Sequence, residues 1–97
     1  EAETVDDIKA TVEPIIGGYG HKNLYYDIVR TGRRLWISVY ITFDKDIISL
    51  SKFQILQTKC IAALAEKYQD FYFELLPDIQ LDSMDEEKIK AQTEENT

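Results

Sequence analysis

Arg33 to Asp46 reads RRLWISVYITFDKD, and it decides the fold. Within it Leu35, Ile37, Val39, Ile41 and Phe43 alternate strictly with Trp36, Ser38, Tyr40 and Thr42. Successive strand side chains point to opposite faces, so this period of two marks a strand with one face in a core. The odd residues form that core face. The even residues form a second face that is polar and aromatic. Immediately upstream, Asn23 to Arg30 is rich in Tyr, Ile and Val, and Thr31-Gly32 supplies a tight turn. Together the two stretches predict a hairpin.

Working outward, Ser51-Lys52-Phe53-Gln54 has the form of a capping box, with Ser51 at N-cap and Gln54 at N3. Phe53, Leu56, Cys60, Ala63 and Leu64 come next on one helical stripe, with Lys52, Gln57, Lys59 and Lys67 off it. Phe71 to Leu76 is a third strand with Phe71, Phe73 and Leu75 on one face, and Pro77 ends it. At the start of the chain, Thr4-Val5-Asp6-Asp7 resembles another capping box, and Val5, Ile8, Val12 and Ile15 recur at helical spacing. Pro14 is expected to kink or end that helix, and Gly17, Gly18 and Gly20 to break the chain.

The order α-β-β-α-β, a hairpin followed by a β-α-β crossover, gives a mixed three-stranded sheet with both helices on one face. The expected crossover is right-handed. This is an α+β, ferredoxin-like two-layer sandwich. The uncovered side of the sheet then carries Trp36, Tyr40, Tyr72 and Leu76, and an apolar patch of that size meets something.

The 97 residues suit one domain with a single core. Formal net charge is −7, unevenly spread: residues 1–77 hold 11 acidic and 9 basic side chains, residues 78–97 hold 7 and 2. The body, residues 4–77, is nearly neutral. The tail, residues 78–97, is acidic and poor in apolar residues, so it is expected to be helical or disordered. An acidic chain is a poor phosphate-backbone binder, which argues against nucleic acid. A single cysteine forbids an internal disulfide. No signal peptide is visible, and no apolar run approaches the roughly 20 residues that span a bilayer. The chain opens on Glu1-Ala2-Glu3 without Met, which fits a mature form or an excised fragment.

Enzyme chemistry finds little support. His21 and Cys60 are each the only residue of their kind, and Cys60 falls on the buried stripe. Asp6-Asp7 and the pair Asp44 and Asp46 sit at element ends, where carboxylates cap or solubilise. No phosphate loop and no G-x-S-x-G is present. The aromatic sheet face invites comparison with an RNA-recognition motif, but the basic-aromatic signature of that fold is missing. Arg30, Arg33 and Arg34 cluster at the hairpin turn, where they suit a solvated tip or a contact with an anionic lipid headgroup or an acidic tail. For metal there is no C-x-x-C and no H-x-H. His21 is expected in a surface loop, and Glu74 on the open sheet face is a lone carboxylate.

An amphipathic helix, a strand ending in Arg30-Thr31-Gly32, RRLWISVYITFD, the helix LSKFQILQTKCIAAL and a strand ending at Pro77 together resemble the C-terminal cytoplasmic domain of cation diffusion facilitator transporters. The resemblance covers about Thr4 to Pro77. It implies the soluble part of a divalent-cation exporter for zinc, iron, manganese or a similar ion, placed on the cytoplasmic side of a membrane. It implies a homodimer attached to a transmembrane domain of the same parent chain, with a metal bound at the dimer cleft in many members.

The family's ligands largely fail to carry over. Positions that often hold histidine correspond to Leu24, Tyr40 (with Ser38 two residues earlier), Gln54 and Glu74, and the acid before the proline corresponds to Leu76. Trp36 matches an aromatic of some members. Only Glu74, with His21 as a weaker candidate, could hold an ion, so a zinc-like divalent cation is the one cofactor in view. Trp36, Ser38, Tyr40, Gln54 and Leu76 become candidates for the dimer cleft. A second reading is a free-standing ferredoxin-like module that binds a ligand or partner and needs a pocket at a sheet edge. A small acylphosphatase-type enzyme lacks its phosphate-cradling loop.

Overall fold

β2 (Arg34–Phe43) is the centre of the molecule, flanked by β1 (His21–Thr31) and β3 (Phe71–Pro77) in the sheet order β1-β2-β3. The computed structural model describes residues 2–45 and 47–78. β1 and β2 pair antiparallel, with Arg30 opposite Leu35, Ile28 opposite Ile37 and Tyr26 opposite Val39. β2 and β3 pair parallel, with Leu35 beside Phe71, Ile37 beside Phe73 and Val39 beside Leu75. A parallel pair needs a crossover, and α2 (Leu50–Ala65) supplies it. With α1 (Ala2–Gly17) preceding the sheet, the element order is the expected α-β-β-α-β.

The two periodicities meet in one core. Ile37, Val39 and Ile41 from β2 are fully buried, as are Ile8, Val12 and Ile16 from α1 and Leu56, Cys60 and Leu64 from α2. Phe73 and Leu75 close it from β3. The helical residues recur every four positions and the strand residues every two, so each element turns a single apolar face to the others. Burying each such side chain contributes roughly 1.5–3 kcal/mol before entropy is counted. Both helices therefore cover the odd face of β2, and among the described residues no helix lies over its even face.

Several local expectations are corrected. α1 begins at Ala2, so Thr4 lies within the helix and is not its N-cap. Pro14 is likewise inside α1, which runs on to Gly17. A proline three residues before the helix end removes one hydrogen bond there, and burial of Ile16 against the core holds the last turn. The N-cap of α2 is Ser49, two residues before the expected Ser51: its Oγ accepts a 3.1 Å hydrogen bond from the Lys52 backbone N–H. Gln57, off the expected stripe, turns inward and its Oε1 accepts from the Leu75 N–H at 3.1 Å, closing part of the free β3 edge. β1 starts at His21, earlier than Asn23, with a bulge between His21 and Asn23. Gly20 has φ +70, which strains any other side chain, and a Cβ there would lie 3.0 Å from the Asp44 carboxylate, which would have to shift.

A polar bolt joins α1 to the end of α2. Asp7 accepts from Tyr68 at 2.6 Å and pairs with Lys67 at 3.0 Å, and Lys67 also donates to Thr11 at 3.0 Å. This bolt fixes the end of the domain where α1 starts. The hairpin tip lies at the same end: Arg30, Ile28 and Leu35 line a small cleft with Thr4 and Val5. Asp78 is the last residue described. The part of the acidic tail from Ile79 onward, expected to be helical or disordered, lies outside the described residues.

Candidate functional site

The open face of the sheet is organised in rows by the strand register. Val29, Trp36 and Tyr72 lie side by side, then Asp27, Ser38 and Glu74, then Tyr25, Tyr40 and Leu76. Two aromatic-apolar rows thus flank one acidic row. Trp36 and Tyr72 meet with ring centroids 5.7 Å apart, and Tyr25 and Tyr40 with centroids 5.9 Å apart, both tilted. Such contacts contribute about 0.5–1.5 kcal/mol each beyond area burial. Even so Trp36 remains 40% exposed, Tyr72 48% and Tyr25 63%.

The rings are held rather than loose. The Trp36 indole N–H donates to Thr31 Oγ1 at 2.6 Å, and the Arg34 guanidinium sits 5.4 Å from the Trp36 ring centre. Arg34 Nε also pairs with Asp70 at 2.8 Å. In the middle row Ser38 Oγ donates to Glu74 Oε1 at 3.3 Å, with Asp27 on the other side of Ser38 in the ladder. The face therefore presents preset aromatic side chains around a carboxylate-hydroxyl-carboxylate row, an arrangement suited to burying a flat partner surface.

The structure brings together Trp36, Ser38, Tyr40, Glu74 and Leu76 on this face. It does not bring Gln54 or His21 to them. Gln54 lies on the exposed side of α2, across the core from the open face. His21 pairs with Phe43, five ladder positions beyond Ser38 and Glu74, which is roughly 16 Å along the strand. His21 is half-buried at the head of β1 and not in a loop, and its Nδ1 is enclosed without a hydrogen-bond partner. Among the described residues no three of His, Cys, Asp and Glu come close enough to hold a metal ion. Burial pushes the Cys60 thiol up to about 11, which leaves it a packing residue.

The three arginines are also divided. Arg30 lines the cleft on the helix side of the sheet, while Arg34 lies over Trp36 on the open side and is engaged by Asp70. Asp27, Tyr25 and Val29 are members of the face that sequence reasoning missed. The signal was there: Leu24, Tyr26 and Ile28 alternate with them at the same period of two.

No protein-family model matches the sequence, and no curated protein matches it. Solved structures do. A structure of CzrB, described as a candidate zinc transporter, superposes with TM-score 0.66 at 18% identity over 80% of this chain and 94% of that one. The chain has the fold of these transporter structures. The zinc form of CzrB matches with TM-score 0.64, also at 18% identity, over 80% of this chain and 86% of that one. A doubly substituted MamM C-terminal domain matches with TM-score 0.60 at 12% identity, over 82% and 99% of the two chains. The fold implied by the resemblance to cation diffusion facilitator C-terminal domains is the fold observed. Among the described residues no helix is long and apolar enough to cross a membrane.

Proposed function

We propose that residues 4–77 are the cytoplasmic dimerisation and regulatory domain of a divalent-cation efflux transporter, without enzymatic activity. One observation carries this reading. A sheet face with two exposed aromatic rows is left uncovered by the described residues, in a fold shared with CzrB and MamM. Pairing of two copies through that face buries Trp36, Tyr72, Tyr25 and Tyr40 at once, and large aromatic side chains are the usual anchors of such contacts. The partner in this reading is a second copy of the chain, and the parent is an integral membrane protein.

The charge pattern supports the same placement. α1 begins at the end of the domain that holds the hairpin tip, so a preceding transmembrane part brings Arg33 near the headgroups. Arg30 and Arg34 contribute less, since they lie on opposite sides of the sheet and Arg34 is paired. The acidic row has two carboxylates and no imidazole, which matches the scarcity of soft ligands. Metal control at this face then requires ligands from both copies. The genomic sequence encoding the residues before Glu1 tests the reading. Several apolar spans of roughly 20 residues each support it, and their absence overturns it.

A different observation favours a second reading, a module that binds a ligand at a sheet edge. An open cleft of about 390 Å³ runs along the free β1 edge, lined by Val5, Lys9, Leu24, Tyr26 and Ile28 among others. Binding of a small metabolite that perturbs Lys9 and Tyr26, with the chain monomeric, is the outcome that selects it.

A further inference from the structure

We infer that the acidic segment 79–97 docks in cis into the groove between the α1–β1 turn and the β2–α2 loop. This groove is separate from the open sheet face and has a volume of about 550 Å³. Tyr19, Phe43, Lys45, Ile47, Ser49 and Lys52 line it. Beside it stand the two most exposed large apolar side chains among the described residues, Ile47 and Leu50, each 86% exposed. Apolar side chains left this open next to a concavity point to an occupant.

Charge narrows the occupant. Lys45 and Lys52 stand on the groove, and Lys59 reaches its wall through Tyr19, with Nζ 3.5 Å from the Tyr19 hydroxyl. Against them the described lining has one acid, Asp44, which lies against Gly20; Asp46 is outside the described residues. The described lining thus sets two lysines against one acid in a protein of net charge −7.

The chain leaves the fold beside this groove. β3 runs parallel to β2 and ends at the same end of the sheet, where the Asp78 N–H donates to the Ile41 carbonyl at 2.8 Å. Thr42 Oγ1 lies 3.5 Å from Asp78 Oδ2, so the last described residue stands about one strand spacing, ~4.8 Å, from the Phe43 end of β2. From there the sequence supplies Ile79, Leu81 and Met84, together with Asp82, Asp85, Glu86 and Glu87. Apolar residues for Ile47 and Leu50 thus arrive together with carboxylates for the lysines. The open face is the other surface within reach, and Asp27 and Glu74 there repel an acidic segment. The short tether gives a high effective concentration, so weak contacts suffice. A groove filled in this way masks Ile47 and Leu50 whether or not the chain is paired.

Paramagnetic relaxation in the full 97-residue chain tests this. A nitroxide is attached through Ala91→Cys; Cys60 is buried with its thiol pushed up to about 11 and stays unlabelled. The expected result is selective broadening of the Tyr19 amide and of the amides from Ile47 to Lys52. That broadening is lost in Lys45→Glu/Lys52→Glu and at raised salt. No selective broadening at those amides overturns the inference. So does broadening concentrated on Tyr25, Tyr40 and Tyr72, which places the segment on the open face. Broadening seen only between separately spin-labelled and isotope-labelled chains assigns the groove to a second copy and also overturns it. Groove amides that shift with phosphatidylserine vesicles and ignore the spin label assign it to a membrane, with the same consequence. The spin label reads the groove, whereas sedimentation of Trp36→Asp reads pairing through the open face, so failure here is separable from failure of the dimer proposal.

Discussion

Tyr68 donates a 2.6 Å hydrogen bond to Asp7, joining residues 61 positions apart in sequence. This contact, with the Lys67 ammonium beside it, lowers the Asp7 carboxyl below its ordinary value. A carboxylate with a depressed folded-state pKa stabilises the fold above its unfolded pKa, and that contribution is lost as pH falls through the folded value. Burial and the Asp7 hydrogen bond push Tyr68 up to about 12. Its contribution is complete below the ordinary tyrosine value near 10 and is lost as pH rises through about 12. Melting temperature against pH therefore shows an acid limb below about 3.8 and an alkaline limb between about 10 and 12. Both limbs flatten in Tyr68→Phe. A profile of unchanged shape in that variant contradicts the linkage.

Ser49, not Ser51, caps α2. Ser49→Ala is expected to cost about 1 kcal/mol of unfolding free energy, while Ser51→Ala stays within about 0.5 kcal/mol of the parent. Urea denaturation of the two variants checks this directly. Equal losses show that the cap is shared or misassigned.

The two serines also show what the sequence could and could not convey. Both lie before the apolar stripe of α2, and Gln54 gives Ser51 the better motif match, so spacing alone favours the wrong one. The winner is set by where the chain leaves β2. The strict alternation from Leu35 to Phe43 was legible because each strand face meets a different environment, and the core it predicts is the core observed. β1 carries the same alternation, Leu24, Tyr26 and Ile28 against Tyr25, Asp27 and Val29, but both sets are rich in large apolar or aromatic side chains, so composition does not say which faces the core. Asp27, Tyr25 and Val29 became visible only through their register with Ser38, Tyr40 and Trp36. Gln54 corresponds to a family position by sequence spacing alone, and the fold sets it on the exposed side of α2, away from the open face. One residue's rotation of about 100° decides whether a helix residue faces a core or water.

Cys60 is buried and its thiol is pushed up to about 11. In the native chain at about pH 8, below the ordinary thiol value, it should react with a thiol reagent only after unfolding, so the reaction rate tracks denaturant concentration. Fast stoichiometric labelling of the native protein contradicts the packing described.

Leu64→Ala removes a fully buried side chain where α2 packs on the sheet. It is expected to cost about 2–5 kcal/mol. Gln54→Ala, on the exposed side of the same helix, is expected to lie within about 0.5 kcal/mol of the parent. A chemical denaturation series on both variants reads the contrast.

The acidic row predicts weak metal binding. Calorimetric titration with zinc should show no tight, stoichiometric site in this chain, because Asp27 and Glu74 bring two hard ligands and no imidazole. A tight site that disappears in Glu74→Ala shows that pairing assembles a complete ligand set after all.

The central claim is that the open face of the sheet pairs two copies of the chain. Sedimentation equilibrium of the full 97-residue chain measures it most directly. The predicted result is a two-chain mass that falls to one chain in Trp36→Asp, with an unchanged circular dichroism spectrum. Loss of one aromatic anchor of about 2 kcal/mol corresponds to roughly 30-fold weaker association, within easy reach of the method. A one-chain mass for the parent at high concentration, or a two-chain mass that survives Trp36→Asp, contradicts it.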